Sequence, residues 1–344
     1  MSVATDMLLA GARTVMGQCL AVGLEDRVLI LTDEPTHELA RHLLVAAREL
    51  APAALVLAGP VGERPYEEVR DRFASALRAE RPTVTVFAGV DDADLLAWDD
   101  GFQSLLDELG TRHAHMPGLD ARCLGEGMAI DYAEVARFTE ATCARLAGAE
   151  QVHVRDAEGT DVLLRCEPGR RAWSPMTGLY TEPGRGGRLP QGETFCAPLS
   201  ADGTIATRVI GYPFNARLGL LDEPVRIEVA AGRATQLSHP DGTLAAELWA
   251  WLTEHENGVR VGELAIGTNT ALTSISGNLL FDENVPGVHI AFGHPFPEWT
   301  GADYRSDVHV DVVVARPDLT VDGVALLRAG AYVTTSDPDT RTAP

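Results

Sequence analysis

Apolar and polar positions follow two regimes along this chain. In the first, short continuous apolar runs alternate with stretches whose apolar residues recur every three or four positions. RVLILTD, ALVLAG and TVTVFAG are the runs, and they predict three strands. Between and around them lie predicted helices: residues 1 to about 24 with Met7, Leu8, Ala10 and Val15; a helix after Pro35 carrying Leu39, Leu43, Leu44 and Ala47; Tyr66 to about Ala79; Ala93 to Leu109; and Tyr132 to Leu146. This alternation predicts an α/β layer with a mainly parallel, Rossmann-like sheet over residues 1–149. No G-x-G-x-x-G follows the first strand, which argues against a dinucleotide site.

Near Glu150 the pattern changes to short strands: QVHVRD, DVLLRC, TIATRVIG, PVRIEVAAGRATQLS with its AGR turn, VGELAIG, GVHIAFG and VHVDVVV. One helix, from about Gly242 to Glu256, interrupts them. Residues 150–335 are therefore expected to form a β-rich α+β domain, and 336–344 a polar tail that frays. The segment from Glu167 to Glu193, rich in Gly, Pro and Arg, is too long for a simple connector and is expected to fold over a site. Its arginines read most simply as a solvated loop, with one available to bind a substrate carboxylate.

Composition narrows the function classes. The 344 residues carry a formal net charge of -22, which argues against nucleic acid and anionic membrane as partners. All 28 basic residues are arginine, so lysine Schiff bases, lysine general bases and a Walker-type loop are excluded. The five cysteines have no C-x-x-C spacing, against a thiolate zinc site or a disulfide scaffold. With neither a secretory leader pattern nor an apolar run of membrane-spanning length, a cytoplasmic location is expected.

The chemistry concentrates between Gly262 and Asp311. His309 and Asp311 alternate with Val308, Val310 and Val312, which places both on one face of a strand as a pair of metal ligands. His289 lies in GVHIAFG and Glu263 in VGELAIG, each among apolar neighbours. A buried unpaired charge costs several kcal/mol or more, and a shared cation would offset that cost. Taken singly, each has a plainer reading. His309 with Asp311 reads equally as a surface pair, His289 as a satisfied core histidine, Glu193 as a solvated turn residue after Gly192, and Glu283 in FDEN as a turn cap.

QGETFCAP, GELAIG, FDEN, VHIAFG and HVD occur in this order, and together they resemble the thermophilic metallo-aminopeptidases of the aminopeptidase T and S type. The resemblance covers the second domain and, more loosely, the first. It implies a homodimeric hydrolase holding two divalent metals, with Glu193, Glu263, His289, His309 and Asp311 as the matching ligands. Oxygen and imidazole donors suit Zn, Co or Mn, and three carboxylates with two histidines suit a pair of ions. Glu263 is then a bridge or general base, and Glu283 a carboxylate that orients a ligand histidine. Where that family has an assisting tyrosine this chain has Phe296, which has no hydroxyl, so His294 or Tyr304 is the candidate substitute. The expected substrate is a small peptide or amino-acid amide. A more distant resemblance, to 2,5-dihydroxypyridine dioxygenase, implies an alternative: His289, His309 and Asp311 as a triad for one Fe(II) in ring cleavage of a small aromatic substrate. That enzyme has a histidine at the Glu263 position and lacks the glutamate matching Glu193, so these two residues favour the hydrolase.

Overall fold

A computed structural model describes residues 3–58, 66–89 and 100–333. The chain divides into two compact units, residues 1–136 with 177–191, and residues 137–176 with 192–344. In the first, β1 (Val28–Thr32), β2 (Leu55–Ala58), β3 (Val84–Ala88) and β4 (Arg112–His115) form a wholly parallel sheet with β8 (Gly186–Arg188), in the order β2-β1-β3-β4-β8. Strands β1 and β3 are buried along their whole length, as parallel strands covered on both faces must be. Helices α1 (Thr5–Thr14), α2 (His37–Leu50), α3 (Tyr66–Glu80) and α4 (Asp100–Leu109) belong to this unit. Leu29, Leu31, Phe73, Leu77, Phe87, Leu105 and Leu106 form one of its apolar clusters.

The expected first helix is shorter than its apolar pattern. α1 passes into a π-type turn at Val15–Cys19, and Ala21 in the left-handed region (φ 45°) prevents further helix. The RHAH strand β4 escaped the sequence pattern because two histidines interrupt its apolar run. Both are buried: His113 Nδ1 lies 2.8 Å from Thr85 Oγ1, and His115 stacks on Phe87. The expected stretch from Ala93 to Asp99 and the tail at 336–344 lie outside the described residues.

Burial holds His113 neutral, pushing its pKa well below the ordinary histidine value, with His115 adding to the effect. The folded pKa is below the unfolded one, about 6.5, so the stabilisation exists above that pH and is lost as pH falls beneath it. Urea titrations at pH 7 and 5.5 should therefore show wild type losing more stability than His113→Gln. Equal losses would remove this account.

Helix α5 (Tyr132–Leu146) spans the division between the units. The second unit contains two antiparallel sheets. Strands β5 (Gln151–Arg155), β6 (Asp161–Arg165), β10 (Ser200–Thr207), β12 (Val225–Ala230), β13 (Arg233–Ser238), β17 (Asp318–Val321), β18 (Val324–Arg328) and β19 (Ala331–Tyr332) make one, in the order β13-β12-β10-β6-β5-β17-β18-β19. The other contains β7 (Ser174–Met176), β9 (Glu193–Cys196), β11 (Val209–Ile210), β14 (Val261–Gly267), β15 (Val288–Gly293) and β16 (His309–Val314), in the order β11-β16-β15-β14-β9-β7. Val152, Val154, Val162, Leu164, Ile205 and Ile227 of the first sheet share one core with Leu264, Ile266, Ile290, Phe292, Val310 and Val312 of the second. Leu244, Leu248 and Leu252 of α7 (Gly242–Glu254) join this core. Short helical turns α6 (Asn215–Leu218), α8 (Leu279–Asp282) and α9 (Pro297–Thr300) lie in the connections.

Two sequence expectations need correction. TIATRVIG is not one strand: it breaks at Arg208, leaving β10 in one sheet and β11 in the other. Thr207 Oγ1 bridges the break with hydrogen bonds to the carbonyls of Val209 and Val313. The Glu167–Glu193 segment is not all loop, since β7 pairs with β9 and β8 extends the parallel sheet.

Ile290 is wholly buried in the core beside His289. Ile290→Ala should cost about 2–5 kcal/mol of stability in chemical denaturation, from lost burial and the cavity left behind.

Candidate metal centre

Strand alternation builds the site. Along β15 and β16, Val288, Ile290, Phe292, Val310, Val312 and Val314 face the core, so His289, Ala291, His309 and Asp311 take the opposite face. In β14 the phase would fail without a register shift, because Val261 is a core residue and Glu263 lies two positions on. A bulge between Val261 and Glu263 reverses it, so that Glu263 stands opposite Ala291 on the site face. Glycine is required at the bulge: a Cβ on Gly262 would fall 2.5 Å from the Gly293 carbonyl oxygen. Glu193 begins β9 opposite Gly267, and Phe195 stands opposite Ala265. The register thus sets Ala265, Gly267 and Ala291 among the charged residues, and Gly267 admits the Val285 carbonyl, which a Cβ there would meet at 2.1 Å.

The five side chains converge into two groups that share Glu263. Glu193, Glu263 and His289 form one, and Glu263, His309 and Asp311 the other, with the candidate donor atoms of each within 4.8 Å of one another. His289 Nε2 lies 3.1 Å from Glu193 Oε2 and 3.3 Å from Glu263 Oε1. His309 Nε2 lies 3.2 Å from Asp311 Oδ1 and 3.7 Å from Glu263 Oε2. Glu193, Glu263, His289 and Asp311 are buried, and His309 is partly so. His309 Nδ1 donates to the His294 carbonyl at 2.9 Å, which fixes the ring and turns Nε2 toward the carboxylates.

Charge crowding dominates the electrostatics. Burial alone would depress both histidines, but the carboxylates outweigh it. Glu193, Glu263 and Asp311 raise His289 well above its ordinary value, while Asp311 and Glu263 lift His309 to about 9. Burial pushes Glu263 above the usual carboxylate range, opposed by His289 and His309. Without cations the cluster thus holds protons between its carboxylates and imidazoles. Three carboxylates and two imidazoles, closely gathered with one carboxylate common to both groups, fit two divalent cations in donor type and number.

The other expected catalytic residues stand outside these donor groups. Tyr304 donates its hydroxyl to the Val261 carbonyl at 3.1 Å and lies beneath the Arg260 guanidinium, so it braces the bulge that aims Glu263. His294 Nδ1 donates to the Ser306 carbonyl at 2.7 Å, and burial lowers its pKa. It bears on the cluster through its own carbonyl. Glu283 is buried at the end of α8, following Asp282, which accepts hydrogen bonds from Ser276 and Gly277. Arg171, expected in a solvated loop, is buried instead and donates to the Gly301 carbonyl and Asp303.

Sequence reasoning missed the aromatic rings at the site, Phe195 and Trp299. Phe195 was accessible to it, since it lies two positions from Glu193 on the same strand and alternation alone puts both on one face. Phe296, which stands where the resembling family has a tyrosine, meets His309 edge to face at 4.9 Å.

The buried carboxylates and imidazoles gathered on one sheet face could hold metal ions, and the family match sets the class as a metal-dependent hydrolase. The chain belongs to a particular family of that class, the thermophilic metalloproteases (M29), whose model matches residues 123–332. No curated protein matches the sequence. Solved structures share the fold, among them the following two. Wild-type AmpT from Thermus thermophilus aligns with a TM-score of 0.72 at 20% identity, over 96% of this chain and 99% of its own. The 2,5-dihydroxypyridine dioxygenase from Pseudomonas putida KT2440 aligns with a TM-score of 0.69 at 19% identity, over 99% of this chain and 100% of its own. Mixed α/β architecture, with its five-stranded parallel sheet and antiparallel sheets, is common to the comparison. Among the described residues no helix is long and apolar enough to cross a membrane.

Proposed function

We propose that this metalloprotease-family protein is an aminopeptidase, cleaving the amide bond next to a free amino group in small peptides or amino-acid amides. The observation that carries the reading is Glu263, one buried carboxylate shared by two donor groups. Glu193, Glu263 and His289 would hold one divalent ion, and Glu263, His309 and Asp311 the other, with Zn, Co or Mn suited to these donors. Bound there, such ions supply Lewis acidity to the scissile carbonyl and lower the pKa of water. The protein's own residues handle the proton. Glu263 would either bridge the two ions through both oxygens or, bound through one oxygen only, accept a proton from the attacking water and return it to the leaving amine. Phe296 cannot share this task, because it has no hydroxyl. The His294 carbonyl keeps His309 in the tautomer that offers Nε2 to the cluster.

A second reading has one specific observation behind it. His289 in one donor group, with His309 and Asp311 in the other group that shares Glu263, supplies the residue types of the two-histidine, one-carboxylate set of non-haem Fe(II) oxygenases. Elemental mass spectrometry on protein purified without chelator separates the two. About two Zn, Co or Mn per chain, with release of amine from aminoacyl amides, supports the hydrolase. One Fe per chain with oxygen uptake would replace it by the dioxygenase.

A further inference from the structure

Beside the donor cluster, Phe296 and Trp299 form an aromatic surface that is backed by the buried ring of Phe195. Phe296 adopts the left-handed backbone region (φ 50°, ψ 64°), which is sterically unfavourable for a bulky side chain. In that conformation its ring lies against His309. Trp299 stacks on Phe296 with centroids 5.6 Å apart and planes 13° apart. Phe195 meets Phe296 at 5.6 Å and Trp299 at 6.0 Å, both edge to face. Trp299 nevertheless remains 51% exposed.

The segment carrying these rings is braced. Thr300 Oγ1 donates to the Pro295 carbonyl at 2.6 Å, and Ala172 N–H donates to the Thr300 carbonyl at 2.9 Å. Ser174 Oγ donates to the Trp299 carbonyl at 3.2 Å, and the Arg171 guanidinium to the Gly301 carbonyl at 2.6 Å. An exposed indole held this firmly over a strained phenylalanine forms a preorganised apolar wall, and it begins at a side chain of the metal cluster. Binding to such a wall requires little further ordering.

We propose that Phe296 and Trp299, backed by the buried Phe195, form the subsite for the side chain of the residue whose carbonyl reacts, selecting large apolar and aromatic side chains. The assignment rests on the aminopeptidase reading and extends it to a substrate class. Within this subsite Phe296 exchanges a hydroxyl for apolar contact area beside His309.

The test compares glycine and phenylalanine ligands on metal-loaded protein. Calorimetric titration with glycine hydroxamate and phenylalanine hydroxamate gives affinities without turnover, and the matching amides give kcat/KM. Wild type should favour the phenylalanine member of each pair by at least about tenfold, and Trp299→Ala should reduce that preference about tenfold. Phe296→Leu keeps apolar volume at the strained position and should reduce the preference less, which guards against local misfolding in the alanine variant. Equal affinities in wild type, or a preference untouched in both variants, overturn the proposal. If the hydroxamate preference and its loss appear while no amide turns over, the aromatic subsite stands and the aminopeptidase reading falls. If neither hydroxamate binds, both fall.

Discussion

Glu263→Gln is expected to lower kcat by about 10²–10⁴-fold, the range associated with losing a positioned acid–base group. The substitution preserves shape, so the β14 bulge and the core behind it should survive. It replaces the carboxylate common to both donor groups, and with it the group proposed to carry the proton. Stability provides a second readout. In the metal-free protein burial disfavours the charge on Glu263, with His289 and His309 opposing that effect and Glu193 adding to it. A neutral amide removes that burial cost, so the metal-free variant should melt no lower than wild type. Adding Zn or Mn should raise the melting temperature of wild type much more than that of the variant, because a ligand stabilises only as far as it binds the folded state. Full activity in the variant would remove the site assignment. Low activity accompanied by a collapsed melting temperature would show Glu263 to be a structural residue instead.

The candidate donors are legible in the sequence because strand periodicity is strict. His309 and Asp311 two apart, and His289 between valine and isoleucine, can share a face only if the alternate residues make a core, and they do. Glu263 shows the limit of that logic. Counted from Val261 its side chain falls on the wrong face, and only the bulge at Gly262 corrects this; nothing local in VGELAIG announces a register shift. β4 was hidden for a different reason, since its histidines are buried by tertiary contacts that override their polar character. Arg171 was misread likewise. A guanidinium in a Gly- and Pro-rich stretch has every local reason to be solvated, and its partners, Gly301 and Asp303, lie 130 and more positions away. The aromatic shelf depends on the left-handed turn at Phe296, a conformation that sequence pattern does not predict for phenylalanine.

His309→Ala distinguishes the two metal chemistries more sharply than activity alone. In the dinuclear reading, the substitution strips an imidazole from the Glu263–His309–Asp311 group but leaves Glu193, Glu263 and His289 in place. Metal content should then fall from about two ions per chain to about one, and kcat/KM by at least about 10²-fold, since a chemistry shared between two ions loses one of them. In the mononuclear reading, His309 is one of only three protein ligands. The same change should then take content from about one to near zero. The protein should remain folded in either case, because His309 is partly exposed at the start of β16 while Val310 and Val312 carry that strand's share of the core. A variant that keeps its full metal complement would exclude His309 as a ligand under both readings. The interaction of Phe296 with this ring would then have to be understood as packing alone.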